Sequence, residues 1–310
     1  MPARPARERR AVHGIVLLDK PQGLTSNRAL QLVRGIFKAA KAGHTGSLDP
    51  MATGLLPICL GEATKIAGLL LGSRKAYEAE CLLGVRTNTD DAEGEVVAER
   101  TVPALDDAAL DTPLAAFVGR IQQVPPAYSA LKRDGVPMYV RARRGEEVAL
   151  EPREVEIHAI ERLAFDGRRL RLRVECGSGT YIRSLARDLG ERLGCGAHLT
   201  ALRRTWVDPF REPRMFSLEA LRERADAGPA ALAACLLPLE AGLAGLPRLD
   251  LDPAMSAALE HGQTVQPAPQ PAPGLYRAHA ADGRLLALAE AGGDGALRVR
   301  RGFNLPRAAF

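Results

Sequence analysis

Apolar positions along the chain alternate between two periods. The run GIVLLDKPQG, starting at Gly14, reads as a short buried strand that ends in a Pro/Gly turn. TSNRALQLVRGIFKAAK then takes a helical period. Leu30, Val33 and Phe37 fall on one face, and Thr25 or Ser26 stands where an N-cap belongs. YEAECLLGV, from Tyr77 to Val85, reads as a strand, NTDDAEGE as a turn-rich loop and DDAALDTPLAAFVG as a helix. The clearest strand is RRLRLRVEC. Leu170, Leu172, Val174 and Cys176 alternate with Arg169, Arg171, Arg173 and Glu175, so one face enters a core and the other is basic. That basic face reads equally as a solvated outer surface or as one that meets RNA. In GSGTYIRSLARDLGERLG, Thr180 is in place to cap a helix with an apolar stripe of Ile182, Leu185, Ala186, Leu189 and Leu193. Arg183 then lies in its first turn, at a strand-to-helix junction of the kind that often carries function.

The texture changes near residue 247. PAPQPAPG, Pro267 to Gly274, must be loop, and the strand-like pieces GLYRAHA, RLLALAE and ALRVRRGF surround it. They predict a small β domain with a basic end at Arg298, Arg300 and Arg301. At the other end MPARPARERR reads as a flexible basic arm over residues 1–13. The IVLL that follows is too short for a signal-peptide core, and no stretch approaches a membrane span.

With 46% hydrophobic residues in 310, the chain can bury a real core. Its net charge of +5 suits a polyanion such as nucleic acid. The five cysteines, Cys59, Cys81, Cys176, Cys195 and Cys235, include no C-x-x-C pair, which argues against a disulfide framework or zinc site and for reduced thiols in a cytoplasm.

Candidate chemistry starts at GHTGSLDP, where Asp49 is the one formally charged residue in a permissive loop. A carboxylate there can be base, metal ligand, cap or nucleophile. Hard cations want several oxygen ligands together, and no second acid lies in the loop. A phosphate-binding loop would need a lysine that is missing. On this loop alone a turn residue is the commoner reading.

Five motifs in order change that: DKPQGLTS, GHTGSLDPMATGLLP, GEATK, PPAYSALKRDGVPMY and GSGTYIRSLARDLG. Together with the C-terminal piece they resemble the TruB family of tRNA pseudouridine synthases, from about Gly14 to Leu305. The resemblance implies an α/β (α+β) fold, with a central mixed, largely antiparallel sheet flanked by helices over residues 14–246. It also implies a small β-barrel-like, PUA-type RNA-binding domain over 247–310. The implied reaction isomerises uridine to pseudouridine at position 55 in the T-arm of tRNA. That reaction needs no cofactor and no metal. By the same resemblance, Asp49 is the nucleophile and Arg183 its cationic partner. Tyr77 stacks on the target base and is a candidate proton base, while Tyr181 and Leu202 line the uracil pocket. His44 inserts into the T-loop, and Lys20 supports the catalytic loop. The implied partner is tRNA, bound by a monomer without an obligate protein partner, in the cytoplasm and not at a membrane.

The sequence departs from the family at Asn88, which stands where the first acid of T-D-T-x-D is usual; Asp91 keeps the second. Two other readings compete. One is a non-catalytic tRNA-binding or tRNA-folding protein on the same scaffold. The other is a nucleoside or glycosyl hydrolase using one Asp, which would want a second carboxylate to activate water.

Overall fold

The computed structural model describes residues 9–128, 132–133, 136–138 and 150–305. Most of the motif PPAYSALKRDGVPMY after Tyr128 lies outside the described residues. In chain order the strands of the main sheet are β1 (Gly14–Lys20), β2 (Ala42–His44), β3 (Thr53–Leu60) and β4 (Lys75–Leu83). Two short pairs stand apart from it, β5 (Val85–Thr87) with β6 (Val96–Glu99), and β8 (Lys132–Arg133) with β9 (Val136–Pro137). β7 (Gly119–Gln123), β10 (Arg153–Phe165), β11 (Arg169–Cys176) and β12 (Ala197–Val207) complete the main sheet. Its order is β1-β3-β12-β4-β11-β10-β7, with β2 paired to β3. Every neighbouring pair is antiparallel except β3 with β12. The sheet is thus mixed and largely antiparallel, as expected.

Helices α1 (Ser26–Ile36), α3 (Asp107–Ala115), α4 (Ile182–Arg192) and α5 (Leu218–Asp226) supply the partners of one sheet face; α2 (Ala67–Leu71) and α6 (Pro229–Ala233) are single short turns. The IVLL run of β1 divides its side chains between two cores. Val16 and Leu18 join Leu30, Val33 and Leu185 on the helical face, while Ile15 and Leu17 join Leu55, Leu285, Leu288 and Phe303 on the other. A strand buried on both faces has no polar side to alternate, which explains its continuous apolar pattern. The last three residues of that second set come from the C-terminal region. There β13 (Arg248–Asp250), β14 (Gly274–His279), β15 (Leu285–Ala291) and β16 (Leu297–Gly302) form a separate four-stranded sheet, with α7 (Pro253–Glu260) packed on it.

Three local expectations are corrected or resolved. Thr180 does not cap α4: the helix begins one residue later, with Tyr181 at the N-cap and no side-chain cap bond there. The buried Gln123 amide holds the backbone of the N-cap residue itself, donating to the Tyr181 carbonyl (3.1 Å) and accepting from its N–H (2.8 Å). The basic face of β11 is interleaved with acids, Arg169 pairing with Glu80 at 2.7 Å and Arg173 with Glu161 at 2.7 Å and Glu78 at 3.4 Å. It is a mixed-charge surface, not a cationic stripe. At the N-terminal end Arg10 is tied down, its N–H donating to the Lys38 carbonyl and its carbonyl accepting from the Ala40 N–H.

One close approach positions the site. The parallel pair sets Gly54 of β3 against Arg204 of β12. Gly54 has φ +94°, and a Cβ there would lie 2.2 Å from the Arg204 carbonyl oxygen. Backbone strain and overlap then act together. Gly54→Ala is expected to lower unfolding stability by about 3 kcal/mol, read from the midpoint shift in denaturant at unchanged slope.

Candidate active site

The loop between β2 and β3 carries Asp49, and three buried side chains hold its backbone at every second residue. Arg204 Nη2 donates to the Gly46 carbonyl at 3.1 Å. Ser26 Oγ accepts from the Leu48 N–H at 2.7 Å and donates to the Leu48 carbonyl at 3.0 Å. Lys20 Nζ reaches the Pro50 carbonyl at 3.4 Å, and the Pro21 and Leu24 carbonyls at 2.9 and 2.7 Å. The loop is therefore a fixed wall, not a flexible turn. Sequence reading left Thr25 and Ser26 as alternative caps. Thr25 is the cap, accepting from Arg28 N, which frees Ser26 for the loop.

This wall separates two cavities, with Ser47, Leu48 and Asp49 lining both. The first, of about 530 Å³, also has Tyr77, Tyr181, Arg183 and Leu202 in its lining. The second, of about 870 Å³, has His44, Asn88, Asp91, Glu93, Tyr128 and Arg183. Five of the expected site residues thus meet around the first cavity, and His44 joins Asp49 and Arg183 at the second. Lys20 lies in neither lining. It is fully buried behind the loop, where burial pushes its ammonium down to about 8 against the pull of Asp49. Its place is to support the loop rather than to touch what enters the cavities.

Arg183 is 4% exposed and its Nε lies 2.9 Å from Asp49 Oδ2. The N–H is aimed off the oxygen, so the contact is electrostatic more than a well-formed hydrogen bond. The two-bond grip that a guanidinium can make on a carboxylate does not occur here. The terminal nitrogens are engaged elsewhere. Nη1 lies 3.3 Å from Asp91 Oδ2 and donates to the Thr89 carbonyl at 3.0 Å, and Nη2 donates to the Tyr128 carbonyl at 2.9 Å. Asp91 is in turn fixed by Thr89 Oγ1 at 2.6 Å and the Glu93 N–H at 3.1 Å. Asn88 uses its side-chain oxygen to accept from the Glu95 N–H at 3.0 Å, a task that needs no charge.

The Asp49 side chain keeps 40% of its surface open, yet it faces cavities rather than bulk water. Burial pushes its pKa up, Arg183 pulls it down, and Asp91 pushes it up again, with a net rise above the usual carboxylate value. Tyr77 is buried and its phenol is raised by burial, opposed by the neighbouring Arg204 guanidinium. Burial also lowers the His44 imidazole, with Arg204 adding to the effect, so the ring is neutral at pH 7. Its Nδ1 is buried without a hydrogen-bond partner among the described residues. Sequence reading missed Arg204, Ser26, Gln123 and the Asp91 contact. Only Asp91 had a signal, as the acid retained beside Asn88.

The sequence matches three domain families along its length. These are the TruB family pseudouridylate synthase (N terminal domain) over residues 34–182, the tRNA pseudouridylate synthase B C-terminal domain over 183–244, and tRNA pseudouridine synthase II, C terminal, over 246–300. The chain belongs to the TruB family. It is similar to the tRNA pseudouridine synthase B of Xanthomonas campestris pv. campestris (strain 8004), 56% identical over 97% of each chain. The enzyme of the same name from Xylella fastidiosa is 54% identical, over 96% of this chain and 97% of its own. Among solved structures, the chain resembles one in a Cbf5-Nop10-Gar1 complex at 29% identity and TM-score 0.71, covering 90% of this chain and 78% of that one. A chain in an H/ACA RNP bound to a substrate RNA containing 2′-deoxyuridine matches at 26% identity and TM-score 0.73, covering 96% and 86%.

Arg183 is the cation that holds the Asp49 pKa down against burial. Arg183→Met is expected to raise that pKa further, because the charged form loses its partner. At neutral pH kcat falls about 100-fold, and the acidic limb of the kcat/KM profile moves to higher pH; pH-dependent single-turnover kinetics on tRNA read both effects.

Proposed function

We propose that this tRNA pseudouridine synthase acts on the uridine at position 55 in the T-loop, with Asp49 as its nucleophile. The observation that carries the reading is the single ionisable carboxylate between two cavities, held against a buried guanidinium and facing an aromatic floor. Isomerisation breaks N1–C1′, turns the base and joins C5 to C1′. Positive character then develops at C1′, where a carboxylate stabilises it or bonds to it. A hydrolase would want a second carboxylate to activate water. Among the described residues lining the Tyr77 cavity, Asp49 is the sole acid, which favours isomerisation over hydrolysis.

The cavity volume suits one nucleotide. Entry requires the uridine to leave its stack, at a cost of a few kcal/mol. Stacking on Tyr77 and packing by Tyr181 and Leu202 offset that cost. His44, on the other side of the wall, is neutral and suited to fill the space the nucleotide leaves. The C-terminal domain, residues 247–310, serves as a PUA-type RNA-binding module beside the catalytic domain, 14–246, with residues 1–13 as a basic arm. The enzyme works as a monomer on the T-arm of tRNA in the cytoplasm. No described helix is long and apolar enough to cross a membrane.

The test is tritium release from an unmodified tRNA transcript labelled at uridine C5, without added metal or cofactor, with tRNA binding measured beside it. Wild type is expected to release label from one T-arm uridine, and Asp49→Asn to bind tRNA but to release label at less than about 0.1% of the wild-type rate. Binding by both without release would sink the catalytic reading and leave a tRNA-folding protein on the same scaffold.

A further inference from the structure

Two cations in the wall of the Tyr77 cavity, Lys75 and Arg204, have no assigned part in the reaction. The period of β4 sets Lys75 on the same face as Tyr77, and the register places Arg204 of β12 directly across from Tyr77. Arg204 is 1% exposed, with Nε donating to the Leu55 carbonyl at 2.7 Å and Nη2 to that of Gly46. Lys75 is buried and spends two of its three N–H bonds on the Leu71 and Ser73 carbonyls, at 3.0 and 2.6 Å. Neither side chain has a salt bridge to a carboxylate among the described residues, although buried cations are ordinarily paired. Gly46 lies against both: a Cβ there would sit 3.5 Å from Arg204 Nη1 and 3.8 Å from Lys75 Cε. Charged and titratable groups face Lys75 from each neighbouring strand, Arg204 on β12, Cys176 on β11 and Asp208 just past β12; with burial as the largest influence, the ammonium is pushed down to about 8. The one acid lining this cavity, Asp49, is already matched by Arg183. The wall is electropositive and lacks an anion.

The reaction supplies one. When N1–C1′ breaks, its electron pair passes to the uracil ring and spreads onto O2 and O4. The charge stays there until that pair forms the C5–C1′ bond; the C5 proton then leaves and N1 takes one up, so the isomerisation balances. We infer that Lys75 is a catalytic residue for this step, donating its third N–H to a uracil oxygen with the fixed charge of Arg204 behind it. The inference rests on the isomerase reading above. It differs from a loop-holding role in one respect: its worth depends on how much charge the base must carry.

Lys75→Gln keeps donors for the Leu71 and Ser73 carbonyls and removes the charge. Single-turnover rates are measured for the full-length protein on two tRNA transcripts, one with uridine and one with 5-fluorouridine at the target position. The C-linked nucleoside is quantified by chromatography of the digested RNA; from 5-fluorouridine it keeps fluorine on C5, where there is no proton to lose, and takes up water across N1=C6. Fluorine withdraws electrons and stabilises the base anion, so the variant should lose about 100-fold on uridine and about tenfold or less on 5-fluorouridine. Its Kd for tRNA should be unchanged, and Lys75→Arg should recover most of the rate. Equal losses on the two substrates, no loss, or a loss accounted for by weaker tRNA binding overturns the inference. Lys75→Met replaces Lys75→Gln if the latter does not fold, and failure of both makes Lys75 structural and overturns it too. A wild type that forms no C-linked nucleoside refutes the isomerase reading itself, a result distinct from any of these.

Discussion

A guanidinium taken out of water must find partners for its charge and its N–H groups, and Arg183 finds them on three separate stretches of chain. These are Asp49 on the β2–β3 loop, Thr89 and Asp91 on the turn after β5, and the Tyr128 carbonyl after β7. The cost of burying it forces those stretches together. Its two carboxylates divide the work. Asp91 is buried and locked by Thr89 and the Glu93 amide, so it fixes the cation. Asp49 has one contact and an open face, so it can react. A two-bond grip on Asp49 would occupy both its oxygens and lower its pKa further. The single contact opposes the rise that burial causes and leaves the carboxylate available.

The same economy governs the loop. Short loops in water are usually held by their own turn bonds. Here Arg204, Ser26 and Lys20 bond to Gly46, Leu48 and Pro50 from behind, so the backbone polar groups are satisfied from the protein side and the intervening side chains, Ser47 and Asp49, face the cavities. Gly54 then lets β3 approach β12 closely enough for Arg204 to reach both Leu55 and Gly46. Stability and preorganisation are supplied by the same contacts, which leaves little reorganisation for the moment of reaction.

Strand and helix periods were legible where an element buries one face. β11 alternates, and α1 and α4 carry apolar stripes. Asp49, Arg183, Tyr77, Tyr181, Leu202 and His44 were singled out only through the family resemblance; as isolated residues each reads as turn, packing or surface. What stayed hidden depends on side chains meeting across long stretches of sequence. Ser26 looked like a cap because caps are local, whereas its bond to Leu48 spans 22 residues. Thr180 looked like a cap for the same reason, whereas Tyr181 stands at the N-cap and Gln123, from 58 residues away, holds its backbone. The arginines of β11 looked like a basic stripe because their partners, Glu78, Glu80 and Glu161, sit on neighbouring strands.

The two cavities differ in sign, and that difference follows from the fold. On the Tyr77 side, the β4 and β12 faces bring Lys75 and Arg204 to the wall with Arg183, against one carboxylate. On the other side, the turn after β5 brings Asp91, Glu93 and Glu95 beside Asp49. The loop thus stands in a field running from an electropositive cavity to an acidic one. Negative charge that develops on the Tyr77 side is favoured; burial raises the Asp49 pKa and Asp91 adds to the rise, while Arg183 and Lys20 restrain it. An aspartate with no such surroundings would be a solvated surface carboxylate. What sets this one apart is the sheet register that sets cations before it and the turn that sets acids behind it.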